Sequence, residues 1–349
     1  MEISVTDRTA KVYLYTDPSC DTAEGRWTGL RRLRELYDLS DKKHLLTNDP
    51  DEADIILYGD VMEKNWTMKI LNSRLLRKYP HKCFSVSWHD RPYFLSHGIY
   101  SGNYRSVLSC GRVRTGAYTT DGDKFRNPFI KNHCNSVRDY ANKDYLFSFI
   151  GRDSHHVRKA VFNLKCERED ALIEDSSTFD LWRAAESTRH ERQQYFYEIL
   201  LRSKFSLCPR GSAPNSIRLF ESMRLGVAPV IISDEWVPPI GPKWNEFAVI
   251  IREKDIGDLV KIVEAHEDRY KEMGQSAKTA YDEYFAERVY FNYIVSNCID
   301  ILNRQRIPES ICLALSSLLL KSRIQISTAK DRLRCRTRLR EFFSRVCNR

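Results

Sequence analysis

The residues best suited to chemistry lie in one stretch, Phe205 to Glu253, which reads FSLCPRGSAPNSIRLFESMRLGVAPVIISDEWVPPIGPKWNEFAVIIRE. An apolar strand, FSLC, runs into Pro209-Arg210-Gly211, which stops pairing and turns the chain. A small polar loop, Ser212 to Ser216, leads into a helix beginning near Ile217. The free N–H groups and the positive end of that helix face the sheet edge, a seat for an anion and most naturally a diphosphate. Arg210 in the loop and Arg218 in the first turn supply full charges, while Ser216 and the helix start supply hydrogen-bond donors. Glu221 shares the Arg218 face by i, i+3 spacing. A carboxylate there neutralises nothing, but it can accept two vicinal ribose hydroxyls. The same residues also read as a surface ion pair worth about 0.3–0.5 kcal/mol and as ordinary helix capping. Spacing alone leaves both readings open. Gly226 then ends the helix, Ala228–Ile232 forms an all-apolar strand, and Ser233-Asp234 closes it at the same edge. Two adjacent strand ends with polar residues make a more specific pocket than one.

The elements that must position these groups alternate along the whole chain. Lys11–Thr16, Asp54–Gly59 and Lys82–Trp88 read as strands, with helices over Arg26–Tyr37 and Met68–Tyr79 between them. Residues 100–143 break the rhythm with Gly102, Gly111, Gly116, Gly122 and Pro128. Strands then follow at Tyr145–Ile150, Ala171–Glu174, Phe205–Cys208, Ala228–Ser233 and Phe247–Ile251. The helices of this half are Val157–Leu164, Arg189–Arg202, Ser216–Leu225, Asp255–His266 and Lys271–Asn303, broken near Gly274. Strands alternating with helices indicate βαβ units and parallel sheets. The expected division is 1–140, 141–305, and an apolar and basic tail over 306–349.

The pattern FSLCPRG–S–RLFESMRLGVAPVIISDEWVPP…W.EFAVIIRE resembles the donor-binding half of exostosin-like glycosyltransferases, the family of the heparan sulfate polymerases. FSFIGRDSHHVRKAV, residues 147–161, is similar to the family's preceding strand and helix. The resemblance runs over roughly 145–290, and the first 140 residues share only the α/β rhythm. It implies an α/β chain of GT-B fold, with two Rossmann-like domains facing a central cleft. It implies inverting transfer from a nucleoside-diphosphate sugar, usually UDP-linked in the family, to a hydroxyl of a glycan or glycolipid. Carried over by motif, Arg210 and Arg218 neutralise the diphosphate, Glu221 binds the ribose, and Ser216 donates to phosphate. Ser233, Asp234, Gly151, Arg152 and Arg158 complete the expected donor-binding set. No metal is required, because Arg and a helix dipole can stabilise the departing charge. Asp121-Gly122-Asp123 has the shape of a metal-binding pair but reads as a turn.

Such a transfer needs a general base. Asp90 and His89, directly after the strand KCFSVSW, are the candidates, although both also read as a turn before Arg91-Pro92. Glu246 and Glu253 are alternatives. His155-His156 does not read as a metal pair, since neighbours on a helix point apart; one of them caps the helix or lines the cleft. Cys166 and Cys208 read as core thiols, and the aromatic residues of 281–291 as packing.

Composition narrows the partners. The 349 residues are 42% hydrophobic and 30% charged, which excludes disordered and collagen-like chains. The net charge of +9 is concentrated at the end, where 321–349 hold ten basic and two acidic residues. The remainder, with 46 basic and 45 acidic residues, is balanced and argues against nucleic acid as a partner. Leu339, Phe342, Phe343 and Val346 make the tail a basic amphipathic helix suited to peripheral contact with an anionic membrane. The start carries no charged-then-apolar leader, and none of the ten cysteines forms a CxxC pair. The expected location is cytoplasmic, with reduced thiols. Two rival readings stand beside the transferase: a non-catalytic nucleotide or carbohydrate binder, and a nucleic-acid binder driven by the tail.

Overall fold

A computed structural model describes residues 8–15, 29–59, 73–90, 92, 94, 96–106, 111–118, 126–133, 143–181 and 183–315. The turn at Asp121–Asp123 and the tail over 321–349 lie outside them. The chain divides into two compact units, Met1–Gly116 with Tyr290–Arg349, and Ala117–Val289.

The first unit contains strands β1 (Lys11–Tyr15), β2 (Leu45–Leu46), β3 (Ile55–Gly59), β4 (Cys83–Ser87), β5 (Gly98–Tyr100) and β6 (Val113–Arg114). Their order is β2-β1-β3-β4-β5-β6, with every neighbouring pair parallel. Every residue of β3 and β4 is buried, which is why β3 reads as an unbroken apolar run, while β4 buries Ser85 and Ser87 along with its apolar residues. Gly59 ends β3 beneath the helix Gly29–Leu39, where an added Cβ would lie 2.1 Å from the Leu30 nitrogen. Only glycine permits that approach.

The second unit contains β7 (Tyr145–Gly151), β8 (Ala171–Asp175), β9 (Ser203–Pro209), β10 (Ala228–Ile232) and β11 (Val249–Ile251). Their order is β11-β10-β9-β7-β8, again all parallel. Phe147, Phe149, Phe205, Leu207, Val230 and Ile232 form its core with Val157, Val161 and Met273 from the flanking helices. Counted from its own first strand, each sheet begins 2-1-3-4-5, the doubly wound order. The α/β class holds, with the two Rossmann-like sheets from which a GT-B fold is made.

Three expectations are corrected. Residues 100–143 were expected to break the alternation of strand and helix, yet β5 ends at the start of that region and β6 lies within it, and together they extend the first sheet to six strands. Strands of two or three residues carry no readable period. The helical break falls not at Gly274 but at Phe285–Ala286, between the helices Tyr270–Tyr284 and Glu287–Arg304. Gly274 lies inside the first of these helices, at a point where a Cβ would come 2.2 Å from the carbonyl oxygen of Gly226, so the close approach requires glycine there. Gly226 itself, at φ 67°, closes the helix Ile217–Arg224 with Val227 N–H donating to Ser222 O (2.9 Å).

The third correction concerns the boundaries at 140 and 305. The first unit ends at Gly116 and takes the chain back at Tyr290. Phe291 meets the Tyr37 ring edge-on at 5.2 Å, and Asp300 accepts a 2.8 Å bond from Arg114. Glu309, fully buried, accepts from Arg112 at 2.6 and 3.2 Å and from the His97 main-chain N–H at 2.8 Å. His97 stacks on Phe84 at 3.8 Å, and Leu313 joins the core with Ile56, Tyr58 and Cys83. Cys312 and Leu313 of the apolar segment are thus buried with the first unit, while Ile311 stays exposed.

Breaking a buried ion pair from one side leaves an uncompensated charge. Glu309→Ala is therefore expected to destabilise the first unit by about 3–5 kcal/mol, read from urea unfolding. A loss below about 1 kcal/mol would mean that the return segment lies outside the cooperative core.

Candidate functional site

The strand order of the second unit reverses between β7 and β9, and ligands of such sheets bind outside the carboxyl ends of those strands. Most of the donor-set residues picked from sequence stand there. Gly151 ends β7, where an added Cβ would lie 2.8 Å from the Phe149 ring and 3.5 Å from an Arg218 nitrogen. Arg218, in the first turn after β9, donates to the Ile150 carbonyl and lies over the rings of Phe149 (4.7 Å) and Phe196 (5.4 Å). The ion pair with Glu221 that the spacing allowed does not form; the guanidinium is drawn to the β7 end instead. Burial lowers the Arg218 pKa, and its Nε is buried without a hydrogen-bond partner.

Arg158 braces the same edge from the helix His156–Phe162. Its Nε donates to Pro209 O (3.4 Å) and its Nη1 to Arg152 O (3.3 Å), which ties the loops after β7 and β9 together. Gly211 leaves room for it, since a Cβ would stand 3.1 Å from an Arg158 nitrogen. Arg152 points its side chain into solvent. Ser216 precedes the helix Ile217–Arg224 in extended backbone, its N–H donating to Asn215 Oδ1 (2.9 Å) and its hydroxyl making no cap bond.

Glu221 is partly buried, and its carboxylate makes no hydrogen bond among the described residues. Burial pushes its pKa up to about 7, against the pull of Arg218. Ser233 follows β10, and its buried hydroxyl is unpartnered. Arg210 follows β9 with its main-chain N–H on Ile232 O (3.1 Å) and its Nε buried without a partner. Arg210, Arg218 and Ser233 thus bring three buried polar groups without a protein partner to one sheet edge, groups that native interiors pair with protein, ordered water or ligand.

Sequence reasoning raised Glu253 as an alternative base and missed its place at the centre of this edge. Its Oε1 accepts from Asp234 N–H at 3.1 Å and stands 3.7 Å from Arg210 Nη1; its Oε2 is 3.3 Å from His156 Nε2. Its own N–H donates back to Asp234 Oδ1 at 3.1 Å. The signal was present: an acidic residue follows each of two apolar strands, and those strands pair with Ile232 opposite Ile251. His155 caps its helix, Nδ1 accepting from Val157 N–H (3.3 Å), and burial with nearby Arg210 lowers its pKa. The two histidine rings were expected to point apart, but they lie 4.1 Å from each other, because His155 precedes the helix rather than sitting in it.

His89 and Asp90 belong to the first unit, just past the end of β4 and half-buried. The Tyr104 hydroxyl donates to Asp90 O (3.1 Å), and Gly102 packs against both carbonyls. Glu246 is exposed and pairs with Lys243 at 3.4 Å. Cys208 is buried, its thiol pushed up to about 11, and Cys166 is a half-buried free thiol. Tyr281, Phe285, Tyr290 and Phe291 are buried packing residues. Among the described residues no group of three or more His, Cys, Asp or Glu could hold a metal ion.

Residues 106–266 match the family described as the Exostosin GT47 domain. An Exostosin-1 homolog of Caenorhabditis elegans is 25% identical over 285 residues, 69% of this chain and 74% of its own length. Exostosin-1 of Drosophila melanogaster is 30% identical over 185 residues, 48% of this chain and 24% of the fly protein. A protein named probable glucuronosyltransferase 47 A, from Physcomitrium patens, is 39% identical over 93 residues, 26% of this chain and 19% of its own. The chain thus spans about three quarters of the worm protein and a quarter or less of the other two. A crystal structure of an alpha1,3-fucosyltransferase aligns over 87% of this chain and 93% of its own, at 12% identity and a TM-score of 0.37.

The raised pKa of Glu221 has a consequence for stability. Its carboxyl holds a proton in the folded state up to about pH 7, against an ordinary value of 4.5. The folded state therefore binds more protons between those values, and its stability falls as pH rises through that window. Glu221→Gln removes this dependence. Its melting temperature relative to wild type is expected to be higher at pH 8 than at pH 5; an equal difference at both would place the carboxylate in water.

Proposed function

We propose that this chain, whose residues 106–266 match the Exostosin GT47 domain, is an exostosin-like glycosyltransferase that moves a sugar, with inversion, from a nucleoside-diphosphate sugar to a hydroxyl of a glycan or glycolipid. The observation that carries the reading is the set of unpartnered buried groups at the carboxyl edge: Arg210 Nε, Arg218 Nε and Ser233 Oγ. Two of these are cationic donors, and beside them stands the start of the Ile217–Arg224 helix. A diphosphate suits all of them. Glu221, one turn along with an unbonded carboxylate, suits the vicinal hydroxyls of the ribose, and a UDP-linked donor is the first choice.

The reaction then runs in one displacement. The acceptor oxygen attacks the anomeric carbon, the bond from that carbon to the diphosphate oxygen breaks, and the diphosphate leaves with the electron pair. Arg210, Arg218 and the helix dipole stabilise the charge that grows on the leaving group, where preorganised donors act most strongly. The acceptor proton passes to a base, for which Asp90, with His89 beside it, is the candidate in the first unit. Membrane contact through the basic residues of 321–349 would suit a glycolipid or a growing chain at a surface.

The test is a thermal-shift series with UDP, GDP, ADP, CMP and their sugar conjugates. A nucleotide at 100 times its Kd stabilises by about 2.7 kcal/mol, enough to move the Tm by a few degrees. Arg210→Ala and Glu221→Ala should each cost about 1.5–4 kcal/mol of donor binding or turnover. Full activity in either folded variant sinks the site assignment. Asp90→Asn should lower turnover and spare donor affinity; unchanged turnover would move the base elsewhere.

A further inference from the structure

We propose that Glu253 is the positioning residue of the donor site, the fixed counter-charge that holds the Arg210 guanidinium where the leaving diphosphate meets it. The inference rests on the reading of Arg210 given above. That side chain is only 11% exposed and its Nε has no partner, so its charge needs compensation from within the protein. Among the described residues, Glu253 is the carboxylate in ion-pair reach. Its Oε1 lies 3.7 Å from Arg210 Nη1, a charge contact rather than a hydrogen bond. The distance matters, because the guanidinium is held electrostatically while its N–H groups stay available to phosphate oxygens.

A counter-charge can aim a long side chain only if it is itself immobile, and Glu253 is held on three sides. Its Oε1 accepts the Asp234 N–H and its own N–H donates to Asp234 Oδ1, each at 3.1 Å. Its Oε2 faces His156 Nε2 at 3.3 Å. β10 and β11 are paired parallel strands, so the two acidic residues that follow them come out side by side and lace the ends together. The same engagement counts against Glu253 as the general base, because both of its oxygens are already occupied.

The alternative is that Glu253 merely laces the strand ends and repels the diphosphate. A double-mutant cycle separates the two. Glu253→Gln keeps an oxygen for the Asp234 N–H and removes only the charge. UDP, GDP and ADP would each be titrated calorimetrically into wild type, Arg210→Ala, Glu253→Gln and the double variant, with melting curves recorded in parallel. Glu253→Gln should weaken nucleotide binding tenfold or more, and the double variant should bind no more weakly than Arg210→Ala alone. Multiplying losses, or tighter binding in Glu253→Gln, would overturn the proposal while leaving the donor site standing. Unchanged binding in Arg210→Ala, or no binding of any of the three by wild type, would overturn the donor-site reading and this inference with it. Should Glu253→Gln fail to fold, Asp234→Ala carries the same cycle, since it frees the Glu253 backbone and should lose affinity only while Arg210 is present.

Discussion

A guanidinium group taken out of water must be met by something negative, and the carboxyl edge of the second sheet is organised around that requirement. Of the arginines at that edge, two carry a buried Nε. Arg218 is met by the Ile150 carbonyl and two aromatic faces, Arg210 by the carboxylate of Glu253. Neither solution satisfies every donor, and the Nε of each remains open. An edge that carries buried positive charge with unspent donors is poorly adapted to being empty, and it is this that supports the proposed diphosphate site. The helix start beside it adds partial positive charge of the same sign.

The parallel doubly wound order makes such an edge possible. All strand ends of one kind lie on one side, so the loops after β7, β9, β10 and β11 deliver Arg152, Arg210, Ser233 and Glu253 to a common boundary. Glycines set the spacing where backbone must approach backbone or a buried side chain. Gly151 leaves room for Phe149 and Arg218, Gly211 for Arg158, and Gly274 lets its helix touch the Gly226 carbonyl. Phe149 has a double role, filling the core while offering one ring to two guanidinium groups, Arg218 at 4.7 Å and Arg158 at 5.8 Å.

The first unit solves a different charge problem with the far end of the chain. Arg112 and His97 meet Glu309 and Gln305 across about two hundred residues of sequence, in an interior closed by Phe84 and Tyr100. The chain therefore cannot be cut into a first half and a second half. The segment that follows the second unit is structural material of the first.

Local pattern determined a good deal of this protein. Apolar runs fixed the positions of the longer strands, Gly226 marked a helix end, and the PRG turn marked the end of β9, because those features depend on neighbours within a few residues. The strand-end positions of Arg210, Ser233 and Asp234 were legible for the same reason. The short strands β5 and β6 were not, since two or three residues carry no period and are held by pairing with partners elsewhere in the chain. Only the tertiary structure decided that Arg218 turns to Ile150 rather than to Glu221, that Glu253 joins Arg210 and His156, and that Glu309 closes the first unit. Each of these is a choice of partner for a charge. Charges act through space rather than along the chain, so the partner is settled only when distant strands and helices have come together.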